Sequence, residues 1–287
     1  MNKDTLTLIA PAKINLFLHI TGRQDNGYHQ LQTLFQLLNY GDELHFQARR
    51  DTLITVGPSH PSIAQEDNLI YKAAIALQQL AALKNKHTAG ADITLTKRLP
   101  LGGGLGGGSS DAATTLVALN HLWGLHFSLR QLSTLGLTLG ADIPVFIHGR
   151  TAWAEGIGEE LTAVDLPSCW YIVLIPRCQV STEKIFTHEE LTRDARPITI
   201  RAFLEQGGKN NCQPVAEMLY PEVHAARKWL EQYANAQMTG TGACVFAACK
   251  SEEDAHRIQK AVPERWLSFI AQGVNHSPLY RTPLIRD

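Results

Sequence analysis

The chain has 287 residues, 44% hydrophobic and 18% charged, and its 26 lysines and arginines nearly balance 27 aspartates and glutamates. That balance gives no general electrostatic reason to expect a nucleic-acid or acidic-membrane partner, so any anion site has to be local. The length lies near the point where one hydrophobic core stops growing, which favours two domains.

Residues 5–9 and 12–21 read as strands. The second alternates Ile14, Leu16, Leu18 and Ile20 on one face with Lys13, Asn15, Phe17 and His19 on the other. Those three polar residues also interrupt the only apolar stretch near the start, so no targeting segment or membrane span is expected and the cytoplasm is the expected compartment. Turn chemistry at 22–27 delivers Tyr28 and His29 to a strand over 31–38, and two short strands follow around 43–47 and 53–56. A helix is predicted over 68–85, capped by Asp67 or Asn68, and a half-buried strand over 91–97.

The next stretch carries the strongest chemical signal: Pro100, Leu101, Gly102, Gly103, Gly104, Leu105, Gly106, Gly107, Gly108, Ser109 and Ser110, followed by Asp111. It reads as a glycine-lined turn running into a helix, with Ser109, Ser110 and Asp111 at the cap and Ala112, Ala113, Leu116, Leu119 and Trp123 on one face. Backbone without side chains can approach a bulky anion, and helix-start N–H groups then point at it, which makes this a phosphate cradle. A flexible linker has similar composition, but this segment is held between a strand and a helix, with Leu105 as an anchor. The P-loop pattern is excluded because no lysine follows Gly108, and the dinucleotide fingerprint lacks its downstream acid. Asp111 should cap the helix, face away, or approach a nucleotide only through magnesium.

A helix from Ser128 to near Gly140 leaves Asp142 at its exit, and strands are predicted over 145–147 and 151–154. The pattern weakens over 155–168, which sets the domains at 1–160 and 161–287. The second half begins with an apolar strand over 170–175. Helices follow over 181–191, 199–206, 214–219 and 221–233, then glycines between two short strands over 237–247, a helix over 252–262 and a strand over 266–272. The five cysteines, Cys169, Cys178, Cys212, Cys244 and Cys249, form no CxxC pair and read as reduced thiols, and the histidines lack metal-ligand spacing. From spacing alone, Lys13 could be a solvated strand lysine and Asp142 a turn residue.

Pro11-Ala-Lys-Ile-Asn-Leu16, the glycine loop and Met238-Thr-Gly-Thr-Gly-Ala-Cys-Val-Phe246 together resemble the GHMP kinases, small-molecule kinases that include galactokinase, homoserine kinase and mevalonate kinase. Gly27-Tyr-His29, Asp67-Asn-Leu-Ile70 and Gly140-Ala-Asp-Ile-Pro-Val-Phe146 narrow the resemblance to members acting on a cytidylyl methylerythritol. The resemblance implies an α+β fold with a ribosomal-protein-S5-like N-terminal domain, a ferredoxin-like C-terminal domain and the active site in the cleft between them. It implies ATP as co-substrate, with Mg2+, and transfer of the γ-phosphoryl group to the 2-hydroxyl of 4-diphosphocytidyl-2-C-methyl-D-erythritol, on the non-mevalonate route to isoprenoid precursors. Small molecules would be its partners, and it would be a monomer or homodimer. Residue by residue, Lys13 and Asp142 would be catalytic, the loop from Pro100 to Ser110 would hold ATP's phosphates, and Asn68 and Lys97 would lie on the adenosine side. Asn15, Tyr28, His29, Phe186, Gly240 and Thr241 would bind the acceptor. The alternatives are a homoserine- or mevalonate-type kinase of the same family, or a nucleotide-binding module without catalysis.

Overall fold

The computed structural model describes residues 4–24, 27, 29–58 and 64–281. In chain order its first half contains β1 (Thr5–Arg23), β2 (His29–Ala48), β3 (Ile54–Gly57), α1 (Leu69–Leu83), β4 (Ala91–Thr96), α2 (Gly107–Leu122), α3 (Leu129–Leu137), α4 (Ile143–His148), β5 (Ala152–Glu155) and β6 (Glu160–Ala163). The second half contains β7 (Trp170–Ile175), α5 (Thr182–Thr187), α6 (Ile200–Gln206), α7 (Gln213–Leu219), α8 (Pro221–Leu230), β8 (Ala236–Met238), β9 (Val245–Cys249), α9 (Glu252–Ala261) and β10 (Leu267–Val274). The α+β class expected from the sequence is the one observed.

β1 and β2 form an antiparallel spine, each continuous where the sequence pattern suggests two pieces. At the expected break in β2, Gly41 lies so close to β1 that a Cβ there would stand 2.0 Å from the Ala10 carbonyl oxygen. The glycine permits close strand approach and makes no turn. In β1 the register shifts between Pro11 and Lys13, between Asn15 and Leu18, and between Ile20 and Gly22. These bulges break the expected alternation, so Ile14 and Leu18 join different apolar clusters and Phe17 is buried with Leu34 and Trp153. Along its other edge β2 pairs in succession with β5 at 33–35, β10 at 37–38 and β4 at 43–48.

α1 is capped by Asn68, whose side chain accepts from Ile70 N at 2.9 Å, and α3 carries a Ser128–Gln131 capping box. Residues 145–147, expected as a strand, are helical in α4. Pro144 occupies the first turn, and Ile143, Val145, Phe146 and Ile147 are all buried, so the apolar run has no periodicity by which helix and strand could be told apart. β6, paired to β5, lies where the sequence pattern weakens.

One apolar cluster fills the first half beneath α1 and α2, and another fills the second half. A third joins them, packing Ala12, Ile14, Leu38, Leu99 and Leu105 against Tyr171, Val173, Cys244 and Phe246. The glycine loop is therefore anchored on the joint between the halves. Among the described residues no helix is long and apolar enough to cross a membrane.

Candidate active site

The glycine loop is pinned from three directions. Lys13 N donates to Leu105 O at 3.0 Å, Cys244 N to Gly103 O at 3.2 Å, and the Thr239 hydroxyl to Gly104 O at 3.1 Å. Gly104 and Gly106 have φ of 74° and 72°, and a Cβ would stand 2.2 Å from Thr239 O at the first and 2.7 Å from the Phe146 ring at the second. Both positions require glycine for conformation and for space. The first backbone bond of α2 runs from Ser110 N to Gly106 O at 2.8 Å, with Gly106 as the cap. Ser109, Ser110 and Asp111 therefore lie inside the helix and do not cap it as expected, because a left-handed glycine starts the helix earlier. The N–H groups of Gly107, Gly108 and Ser109 precede that first bond, so the helix start keeps free donors of the kind that suit an anion.

Lys13 and Asn15 share a site as their spacing predicts. The buried Lys13 ammonium donates to Asn15 Oδ1 at 2.7 Å and Gly104 O at 3.2 Å, lies 3.3 Å from Asp142 Oδ2, and sits 5.2 Å above the Phe35 ring. Asp142 lies at the start of α4, not only at the exit of α3, and makes no side-chain cap bond, which leaves its carboxylate to Lys13. Asn15 is locked on every side. Its Nδ2 donates to Thr33 Oγ1 at 2.9 Å, its Oδ1 lies 3.3 Å from Thr239 Oγ1 and shares that hydroxyl's one proton with Gly104 O, and its backbone N donates to the same hydroxyl at 2.9 Å.

Lys97 bridges two buried carboxylates, Asp42 at 2.5 Å and Asp111 at 2.9 Å. Asp42 also accepts the N–H groups of Arg98 and Leu99 at 2.6 and 2.8 Å, which fixes the chain as it enters the loop. Asp111 pairs with Lys97 and lines, with the loop glycines, the larger of the two cavities described below, and burial pushes its carboxyl up to about 7, with Lys97 pulling against the shift and Asp42 adding to it. A carboxyl that binds its proton more tightly when folded contributes stability below its ordinary range near 3.8, and that contribution is lost as the pH rises toward 7. Asp111→Asn should therefore flatten the fall in thermal midpoint between pH 4 and 7 relative to the unaltered protein. Equal slopes in the two proteins would rule out the shift.

The loop is the shared wall of two cavities. One, of about 340 Å³, is lined by Lys13, Asn15, Asp142, Phe186, Gly240 and Thr241 among others. The other, of about 700 Å³, is lined by Asn68, Lys97, Pro100, Leu101, Gly103, Gly107 and Gly108, among others. Gly102, Gly104, Gly106, Ser109 and Thr182 face both. Leu105 and Ser110 are buried and line neither, and the Ser110 hydroxyl has no partner among the described residues. His29 stacks on Phe186 with ring centroids 5.0 Å apart and accepts at Nε2 from Arg193 Nε at 3.3 Å. Tyr28 lies outside the described residues. Among those residues no three of His, Cys, Asp or Glu group as a metal site. The Ser109 hydroxyl and Asp142 carboxylate are hard-oxygen donors at the loop, the kind that suits a magnesium ion drawing most of its ligands from phosphate and water.

Two family models match the chain: GHMP kinases N terminal domain over residues 68–150 and GHMP kinases C terminal over 190–267. The chain belongs to the GHMP kinase family. A 4-diphosphocytidyl-2-C-methyl-D-erythritol kinase from Pseudomonas aeruginosa is 51% identical over 276 residues, covering 96% of both chains. The crystal structure of a 4-(cytidine 5'-diphospho)-2C-methyl-D-erythritol kinase superposes with a TM-score of 0.81 at 30% identity, covering 94% of this chain and 100% of the other. A homoserine kinase from Cytophaga hutchinsonii shares the fold at a TM-score of 0.69 and 17% identity, covering 96% of each chain.

Several residues that build this GHMP kinase site carried no signal of their own in the sequence. Thr33 holds Asn15 and also donates to Phe17 O, while Asn210 holds the 240 turn by donating to Met238 O and Gly240 O, both at 2.8 Å. Thr182 shares a hydrogen bond with Thr241 at 3.0 Å on the rim between the cavities. Thr239 alone was within reach, since it sits inside the third glycine motif.

Proposed function

We propose that this kinase transfers the γ-phosphoryl group of ATP to the 2-hydroxyl of 4-diphosphocytidyl-2-C-methyl-D-erythritol. The observation that carries the reading is the Lys13–Asp142 pair in a cavity that shares the glycine loop as a wall with a second, larger cavity. A donor phosphate on the loop and an acceptor hydroxyl in the smaller cavity would meet there. The extended identity to kinases named for this substrate supports the choice of acceptor.

Phosphoryl transfer has a loose transition state, so the protein chiefly positions reactants and stabilises spreading negative charge. The N–H groups that start α2 would hold the triphosphate, with the adenosine beside Asn68 and Lys97. Asp142 would accept the proton lost by the 2-hydroxyl as its oxygen bonds to the γ-phosphorus and the bond to the β–γ bridging oxygen breaks, releasing ADP. Lys13 would hold the carboxylate in place and offset charge developing beside it. Magnesium would be held mainly by the phosphates, with Ser109 as the protein ligand, and supplies neutralisation of their charge. Asn15, His29, Phe186, Gly240 and Thr241 would receive the acceptor, with Phe186 stacking on the cytosine ring.

We place the domain division at 1–160 and 161–287, supported by the two family matches falling on either side of it. We place the protein in the cytoplasm, where its five free cysteines would stay reduced. ATP consumption with the cytidylyl methylerythritol as acceptor, compared with homoserine and mevalonate and repeated without magnesium, tests the proposal. Turnover on homoserine or mevalonate in place of the cytidylyl compound would overturn it.

A further inference from the structure

We infer that Arg193 is a positioning residue that fixes which ring nitrogen of His29 carries the proton, and thereby decides which pyrimidine the acceptor site reads. The pyrimidine half of this inference rests on the proposal that the acceptor is cytidylyl.

The geometry leaves His29 little freedom. It opens β2 opposite Arg23 of β1, and its ring lies on Phe186 at an interplanar angle of 25°. Arg193, in the segment after α5, is itself immobilised. Its Nη1 donates to Leu191 O at 3.2 Å, and its Nη2 donates to Phe186 O at 2.9 Å and His188 O at 2.8 Å. These bonds aim the remaining Nε–H at His29 Nε2, 3.3 Å away.

A guanidinium has five N–H donors, no acceptor, and does not deprotonate in proteins. The imidazole nitrogen that faces it must therefore present a lone pair, which puts the proton on Nδ1. Among the described residues the charged groups acting on the ring are Arg193 and Arg23, both cationic. Burial and these two guanidiniums hold His29 below its ordinary range, so the ring is neutral near pH 7.

A neutral ring with Nε2 occupied offers a ligand one donor, Nδ1–H, and no acceptor. Cytosine presents acceptors at N3 and O2, whereas uracil carries a hydrogen on N3. The ring edge can pair with cytosine N3 but meets uracil N3–H donor to donor, leaving both groups unsatisfied. Arg193 thus selects the base without touching it. Removing it frees Nε2 to take the proton, and Nδ1 then becomes an acceptor.

The test combines ring-nitrogen NMR of the full-length protein with steady-state kinetics. In the unaltered protein His29 should be protonated at Nδ1 and bare at Nε2. In Arg193→Met the ring should become a tautomer mixture that titrates at higher pH. The KM for the cytidylyl acceptor should rise about tenfold with kcat little changed, and preference over the uridine analogue should fall about tenfold. Arg193→Lys, which keeps a donor toward Nε2 but loses the fork onto the three carbonyls, should retain the Nδ1 tautomer and most of the preference.

His29 protonated at Nε2 in the unaltered protein would overturn the inference. So would an unchanged tautomer or an unchanged base preference in Arg193→Met. Loss of preference in Arg193→Lys as complete as in Arg193→Met would reduce Arg193 to a structural clamp. The NMR arm needs no substrate, so a failure there belongs to Arg193 alone. Failure of the unaltered protein to phosphorylate the cytidylyl acceptor would instead overturn the functional proposal, and the pyrimidine half of the inference with it.

Discussion

Asp142→Asn is expected to lower kcat by about 10² to 10⁴, the range typical for loss of a general base, while ATP affinity changes little. The substitution removes the proposed proton acceptor and the negative charge but keeps nearly the same shape. Lys13 retains Asn15 Oδ1 at 2.7 Å and Gly104 O at 3.2 Å as acceptors, so the loop keeps its anchor. Asp142 makes no cap bond at α4 and is about one-third exposed, so the fold has little dependence on its charge. Turnover at saturating concentrations of both substrates, together with calorimetric ATP binding, separates the cases. Near-normal kcat would remove Asp142 from the mechanism, and loss of ATP binding would make it a structural residue of the loop.

What the sequence revealed of this site follows from how local each relationship is. Lys13 and Asn15 are two residues apart on one strand, so their shared face is written into the period, and their side chains do meet. Leu105 as loop anchor and Asn68 and Ser128 as caps were legible for the same reason, since each signal sits within a few residues of its effect. The start of α2 was misplaced because the cap there is a left-handed glycine, Gly106, while the Ser-Ser-Asp run that looks like a cap follows it. α4 was misread because a short helix buried on every side shows no period.

Asp42 and Arg193 were illegible for a different reason, and Thr239, though inside a motif, hid its partner for the same one. Thr239 reaches Asn15 across 224 positions, Arg193 reaches His29 across 164, and Asp42 caps backbone groups 56 and 57 residues further on. Their chemistry exists only once the strands have paired. The result is an ordering of parts: the residues proposed to meet substrate could be picked out by type and motif, whereas the residues that hold them come from register and tertiary packing.

The loop itself offers a sharp comparison between two neighbouring glycines. Gly102 and Gly104 have similar left-handed conformations, with φ of 66° and 74°, so alanine at either carries a backbone cost of roughly 1–2 kcal/mol. Their surroundings differ. A Cβ at 102 meets nothing within 4 Å, whereas at 104 it would stand 2.2 Å from Thr239 O, a backbone atom with no rotamer to yield. Gly104→Ala must therefore push the loop off the 240 turn. That breaks the Thr239 hydroxyl bond to Gly104 O at 3.1 Å and the Lys13 bond to the same oxygen at 3.2 Å. A buried ammonium that loses an acceptor is costly, and the wall proposed to hold the phosphates moves with it. Gly104→Ala should destabilise the protein by several kcal/mol, roughly double the cost at Gly102 or more, and should lower kcat/KM for ATP by about 10² or greater. Thermal midpoints and kcat/KM for the two variants side by side decide the matter. Equal losses at 102 and 104 would mean that the loop is not clamped between β1 and the 240 turn, and that Lys13 does not depend on Gly104 for its position.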